Sequence, residues 1–465
     1  MKRSLKSVLV VSCLTINATS VLALDINNFP AENKTMINSP AGRIEICAQA
    51  HRMIPAAYKD KDDKDESELC SYNFYSNMAL CPKLNSTNPG VLVANILTGK
   101  SREQTMAVCT SNNDISVQAK FKNSISCSYT PSILAYYHFS RMLKAGNVPV
   151  AVLRTMDKTE HKTVVQRALN IISNSSEIIY KTWKSFFNAH EAAASPALFD
   201  TSKQFVYGAL ADNPKKEYRY YDISGKGVYD TRYQRFLQQQ PYLNVTSPLS
   251  ISQIAGSTDI KKTLPLVVQM KDVSDMILLD TLLSQDDRIG NIHYKLAWYS
   301  IDKNPETGKL SYKTANSKTE LASDGKSWVI PENEKAIQAS GAQLIREILM
   351  KDNDCGVNVK ERSNMMRQIS AIENVRHISA RTYKKFLEMY QIAKTPEFTN
   401  WLKNELMFTS NDIGAAGVKG MTFIGNLEKA YSILNTNCKN GKLKLDLNVD
   451  DLIPGHQPTV MACDL

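Results

Sequence analysis

The chain has 465 residues, 43% of them hydrophobic, and a formal charge of +10, so it has ample material for a core. Its basic residues are scattered, and no zinc-finger, RNP-type or basic-zipper pattern occurs. Nucleic acid is therefore not the expected partner.

Residues 1–23 have the three parts of an export signal. Lys2, Arg3 and Lys6 form a basic head, VLVVSCL begins an apolar stretch, and Val21 and Ala23 suit a cut before Leu24. Asn17 and Thr19 interrupt that stretch, and no later segment reaches membrane-spanning length. Removing the three basic residues takes the charge of +10 down to +7, which is mild for about 440 mature residues. That length suits one large domain or two to three ordinary ones. Cys13 leaves with the signal, so nine cysteines become eight. An even number without any CxxC, in an exported chain, favours disulfides over metal. Five of the eight lie between Cys47 and Cys127, so the N-terminal part is expected to be the most heavily stapled.

In chain order, residues 24–46 read as an extended lead-in, and KDKDDKDESE (59–68) as a solvated loop without an apolar face. VLVANIL, TMAVCT and ISVQAKFK, within 91–122, alternate like strands of a small antiparallel sheet. The pattern then turns helical in PSILAYYHFSRML and returns to strand in VPVAVL. Residues 162–192 and 270–284 read as helices, and 295–330 as a polar hairpin. From Glu334 to about Lys439 the chain reads as mainly helical, with stripes in EKAIQASGAQLIREILM and ARTYKKFLEMYQIAK. The aromatic and basic segment 213–235 reads as a solvated hairpin or loop turning at GKG, with sugar binding as the functional alternative. Strands first and helices later predict an α+β fold with a cleft between two lobes.

Three strings could carry chemistry. LLDTLLSQDDRIGNIHY (278–294) runs from an apolar helix into Asp286, Asp287, Arg288 and Asn291. Phosphoryl transfer needs such a set: a carboxylate to orient the attacking hydroxyl, an oxygen for a metal, and cations on the phosphates. REILMKDNDCGVN (346–358) then presents Asp352 where a kinase holds its metal, and magnesium needs only a carboxylate or two besides phosphate oxygens. Upstream, Lys120 and Lys122 end a strand with the same parity, so both face one side and either could reach the phosphates. No GxSxG, HExxH or P-loop occurs.

In this order KFKN (120–123), SILAYYHFSRML with VPVAVLR, DTLLSQDDR (280–288) and DNDCG (352–356) resemble the atypical kinases of the secretory pathway. These are the Golgi casein kinase and four-jointed group and, more distantly, HipA-type and phosphoinositide kinases. The resemblance covers roughly residues 90–360 and implies a two-lobed, disulfide-stabilised protein-kinase-like fold. It implies a signal at 1–23, an N-terminal extension at 24–89, a lobe of sheet and helix at 90–160, and a helix-rich lobe at 161–465. By family position Asp287 is the catalytic Asp and Asp352 the metal ligand, with Asn291 beside it. Asp286 stays a rival, because its spacing to Asn291 is the one protein kinases use. The family's Asn is Gln285 here and its His is Ile289. Gly99-Lys100 is the sole trace of a Gly-rich loop, and Glu103 is the candidate to pair the lysine.

The resulting expectation is a secreted phosphotransferase using ATP and Mg²⁺ or Mn²⁺ on a protein, sugar or lipid head-group hydroxyl. Lys120, Lys122 and Arg288 would bind phosphates. An exported enzyme of this kind meets ATP only in a supplied lumen or inside another cell. The alternative is a non-catalytic secreted binder, on a degenerate kinase scaffold or using tyrosines of 217–233 for glycans.

Overall fold

The computed structural model describes residues 23–464 except 55, 110–114, 173, 193–194, 216, 229–230, 308–309, 325, 358–370, 415–421 and 454–461. The expected export signal, apart from Ala23, lies outside the described residues.

Seven strands alternate with turns and helices over the first half of the chain. They are β1 (Asn33–Asn38), β2 (Ile44–Gln49), β3 (Met78–Pro82), β4 (Val91–Asn95), β5 (Val117–Lys122), β6 (Ala151–Asp157) and β7 (Phe205–Asp212). All pair antiparallel in the order β1-β2-β6-β7-β5-β4-β3. Three of these strands (β1, β2 and β3) come from the segment expected as an extension, and β7 comes from beyond residue 160. The register sets Lys120 opposite Leu92 on one side and Ala211 on the other, so both lysines leave the sheet at its centre.

A second sheet is built on β9 (His293–Lys303). It pairs with β8 (Tyr218–Arg219), β10 (Leu310–Asn316) and β13 (Gln343–Leu349), and β11 (Glu320–Leu321) forms a small ribbon with β12 (Trp328–Val329). Helix Ile260–Leu282 packs on β13, and helices Ala380–Ile392 and Phe423–Lys439 close the far side. One continuous core joins the large sheet to these helices through helix Thr130–Leu143, whose Phe139 stacks among Phe398, Trp401 and Phe423. The fold is thus mixed α+β with four disulfides: Cys47–Cys70, Cys81–Cys109, Cys127–Cys355 and Cys438–Cys463. That set fits a protein that folds in an oxidising, extracytoplasmic compartment. Among the described residues no helix is long and apolar enough to cross a membrane.

Several local expectations are corrected. The charged stretch 59–68 is not a loop but most of helix Asp60–Ser71, whose buried residues are acidic in its first two turns (Asp62, Glu66) and apolar only at its end (Leu69, Cys70). Asp62 forks onto Arg141 (2.8 and 3.1 Å) and caps Lys59 N–H, while Glu66 accepts from the Tyr137 hydroxyl (2.6 Å). Residues 105–109 of TMAVCT are not a strand, because Ser101 and Gln104 form a capping box that starts helix Arg102–Ala107; Thr110 lies outside the described residues. The stripe 334–350 is split: Gly341, at φ +84°, follows helix Glu332–Ala339, and the chain continues as β13 along β9.

Candidate active site

The ends of β4 and β5, the β3–β4 loop, the segment after β7, and the loops before β9 and after β13 meet around one cleft of about 490 Å³. Lys120, Lys122, Asp287, Asn291 and Asp352 all line it. They come from three strings, the first 165 residues before the second and the second 61 before the third, brought together because β5 lies inside the large sheet and the antiparallel pair β9 and β13 starts and ends at the two acidic loops.

On the acidic side, Asp287 is fixed at both oxygens. Arg232 Nη1 donates to Oδ1 (2.7 Å) and Asn291 Nδ2 to Oδ2 (2.9 Å). Burial holds the Asp287 carboxyl above its ordinary range, against the pull of Arg232 and with help from the negative charges of Asp354 and Asp352. His293, next to Asn291, lines the cleft and is driven down to about 4 by burial and by Arg219, so it is neutral at pH 7.

On the opposing side four lysines surround Asp352. Burial alone would raise its carboxyl, but Lys83, Lys120, Lys122 and Lys351 overcome that and keep it well below the usual range. Lys122 is committed to Asp354 (Nζ–Oδ2 2.8 Å); burial by itself would lower the lysine, but the charges of Asp354 and Asp352 together with its hydrogen bonds raise it. Lys120 makes no side-chain hydrogen bond or ion pair among the described residues, and burial lowers it. The two lysines of like parity therefore differ: Lys122 is a latch on the acidic loop, whereas Lys120 is the cation available to a ligand. Lys83 is brought down to about 7 by burial and by Lys122, with its Nζ 3.9 Å from Asp352. Lys351, brought down to about 8 by burial and by Lys120, is paired with Glu217.

Three expected residues lie elsewhere. Arg288 does not face the cleft; it is buried, 1% exposed, and forks onto Asp280 (3.0 and 3.1 Å). Its remaining donors hold Lys351 O (2.7 Å) and Asn353 Oδ1 (2.5 Å), so it shapes the Asp352 loop from behind. Asp286 lies beside Asp287 but does not line the cleft; its N–H donates to Cys355 O (3.1 Å). Glu103 is exposed on its own helix and pairs with neither strand lysine.

Sequence reasoning missed Lys83, Asn88 and the rest of the β3–β4 loop, KLNSTNPG, five of whose residues line the cleft. Its signal was legible: a turn-rich octet ending Asn-Pro-Gly between two apolar strands. Gly90 is required there, since a Cβ would meet the Lys122 side chain at 2.9 Å and Phe121 O at 3.2 Å. Glu217 and Arg219, from the aromatic segment, also face the cleft. The nearby tyrosines are largely packed away, with Tyr218 and Tyr220 against Tyr294 and Trp328.

No family model matches the chain, and no curated protein matches it. A solved structure described as the Golgi casein kinase aligns with 83% of this chain and 80% of its own, at 14% identity and a TM-score of 0.38. That likeness is too loose to carry an inference about this chain.

Proposed function

We propose that the chain is an ATP-dependent phosphotransferase of atypical-kinase type that acts on a hydroxyl acceptor with Mg²⁺ or Mn²⁺. The observation that carries this reading is the convergence of Lys120, Asp287, Asn291 and Asp352 on one cleft. The arrangement of parts supports it: a hairpin loop over the cleft, lysines on the next strand, an Asp/Asn loop, and a metal-type Asp after a β-hairpin. Among the described residues no group of three or more His, Cys, Asp or Glu is placed to hold a metal by itself. Asp352 and Asn291 are hard oxygen donors, a set that suits Mg²⁺ or Mn²⁺ completed by phosphate oxygens.

In this reading a bound metal would neutralise charge on the transferring phosphate. Lys120, with Lys83 beside it, binds the phosphates. Asp287 orients the acceptor hydroxyl and receives its proton, helped by a carboxyl held above the ordinary range. Arg232 and Asn291 fix the rotamer of Asp287.

Thermal shift with ATP and MnCl₂ tests binding: at a hundred times Kd the ligand stabilises by about 2.7 kcal/mol. Asp352→Ala should remove that shift. Asp287→Ala should keep the shift and lose transfer of labelled γ-phosphate. No shift in the parent protein refutes the reading. A second reading, nucleotide binding without turnover, draws on the engagement of both Asp287 oxygens; binding with no transfer to any acceptor would favour it.

A further inference from the structure

Three of the four disulfides join residues 23, 28 and 25 apart in sequence, whereas Cys127 and Cys355 are 228 apart. Cys355 directly follows Asp354 and lies three residues after Asp352. Cys127 lies in the connection from Lys122, at the end of β5, to helix Thr130–Leu143. One covalent bond therefore ties the acidic loop to the lysine-bearing segment.

The contacts around this bond extend the tie. Asn88 sets its Nδ2 3.1 Å from Cys127 Sγ and 3.2 Å from Cys355 Sγ, and its carbonyl oxygen accepts from Lys122 Nζ (3.3 Å). The cleft loop, the lysine and the disulfide thus meet at one residue. Tyr129 N–H donates to Asp354 O (2.8 Å). The Ser132 hydroxyl donates to Asn353 O (2.6 Å) and accepts from Gly356 N–H (3.1 Å). A Cβ on Gly356 would lie 2.6 Å from Ser132 Oγ, so only glycine allows this approach. Asp352 itself sits at φ +53°, a conformation that non-glycine residues keep only when their surroundings impose it.

In protein kinases the strand lysine is fixed by a glutamate of the following helix, and that pair must be in place for transfer. Helix Thr130–Leu143 contains no Asp or Glu, and Lys122 pairs with Asp354 instead. The coupling between helix and site must come from another source.

We propose that the Cys127–Cys355 bridge, with Asn88 seated on its sulfurs, is the positioning device of the nucleotide site, fixing the Asp352 loop against the lysine strand and the β3–β4 loop. This rests on the nucleotide reading above. The site is then complete only in the oxidised chain.

The test compares Cys127→Ser/Cys355→Ser with Cys438→Ser/Cys463→Ser, each as the full chain, by titration with ATP in MnCl₂. The first pair should bind about 10–100-fold more weakly, the scale of lost outer support at a metal site. The second should stay within about twofold of the parent. Backbone amide exchange at Gly356 and Val357 should accelerate in the first variant without nucleotide. If that variant does not fold, Asn88→Ala in the disulfide-intact chain should still weaken binding at least about threefold. Undiminished affinity in the folded double variant, or in Asn88→Ala where the double variant fails, overturns the positioning role. A parent protein that binds no nucleotide overturns the nucleotide reading; unchanged exchange at Gly356 and Val357 would then overturn the clamp as well.

Discussion

Replacing Arg288 by Met separates a ligand-binding arginine from one that holds the fold. The side chain is buried, forks onto Asp280, lies over the Tyr136 ring at 5.4 Å, and holds Lys351 O and Asn353 Oδ1. Methionine keeps much of the apolar volume and removes the charge, leaving Asp280 buried beside the Tyr136 hydroxyl (2.7 Å). Breaking a buried pair from one side costs about 3–5 kcal/mol. That is roughly two to four powers of ten in the unfolding equilibrium. Burial already holds the Asp280 carboxyl above its usual range while Arg288 pulls it down. Without Arg288 the folded-state pKa rises further above the unfolded value. The carboxyl then takes up a proton on folding, and the deficit shrinks as pH falls. Urea unfolding followed by tryptophan fluorescence, at about pH 8 and about pH 5, should show the larger loss at the higher pH. Adding Asp280→Asn should recover part of the loss. Stability within about 0.5 kcal/mol of the parent, together with lost nucleotide binding, would put Arg288 on the ligand and refute this account.

Asp272 is pushed up to about 8, chiefly by burial, and accepts from Ile348 N–H (2.7 Å). Below about pH 4 it is protonated in both states and costs nothing; between about pH 4 and about 8 folding must take up a proton, so stability falls as pH rises through that window. Asp272→Asn should therefore gain stability relative to the parent across that window, and a flat difference refutes the assignment. His161 and His190 form a buried pair (2.8 Å), with His190 brought down to about 4 by burial and neighbouring lysines, and His161 held well below its ordinary value by burial and by His190. The unfolded chain protonates them below about pH 6.5, so stability is lost as pH falls from there towards about 4. Replacing both by Gln should flatten that limb, and an unchanged slope counts against it. Asp62→Ala removes both the cap of helix Asp60–Ser71 and the partner of Arg141, and should cost about 1–2 kcal/mol in denaturant unfolding. A loss below about 0.5 kcal/mol would return the segment to a solvated role.

What could be read from the sequence follows the physics of each signal. Lys120, Lys122, Asp287, Asn291 and Asp352 could be singled out because a strand gives its two lysines one face and because Asp and Asn cluster in short loops that follow an apolar helix and an apolar strand. The disulfide pairing was not legible, since Cys127–Cys355 depends on a contact across 228 residues. The helix at 60–71 was missed because the buried residues within 59–68 are Asp62 and Glu66, whose partners Arg141 and Tyr137 lie on another helix. Arg288 was misplaced because sequence gives an arginine's position and not its direction: the buried Asp280 two turns back captures it. The β3–β4 loop was overlooked because its turn residues mark a connection and not a contact: the approach of Gly90 and Asn88 to Lys122 and the disulfide is set by strands distant in sequence.

The charge of the cleft leads to one more expectation. Five basic side chains (Lys83, Lys120, Lys122, Arg219 and Lys351) and four carboxyls (Glu217, Asp287, Asp352 and Asp354) line it, a formal excess of one positive charge with every group ionised. A divalent cation entering alone adds to that excess, beside a lysine whose Nζ is 3.9 Å from Asp352. A triphosphate entering alone brings about four negative charges towards Asp352 and Asp354. Together they come close to cancelling, so each should bind better in the presence of the other. A coupling of 1–3 kcal/mol corresponds to about 5–150-fold in affinity, and linkage makes it reciprocal. Titrating ATP with and without Mn²⁺, and Mn²⁺ with and without ATP, should return the same factor from both directions. Tight Mn²⁺ binding to the empty cleft, with an ATP affinity that chelation leaves unchanged, would mean that the lysines around Asp352 are not there to receive phosphate.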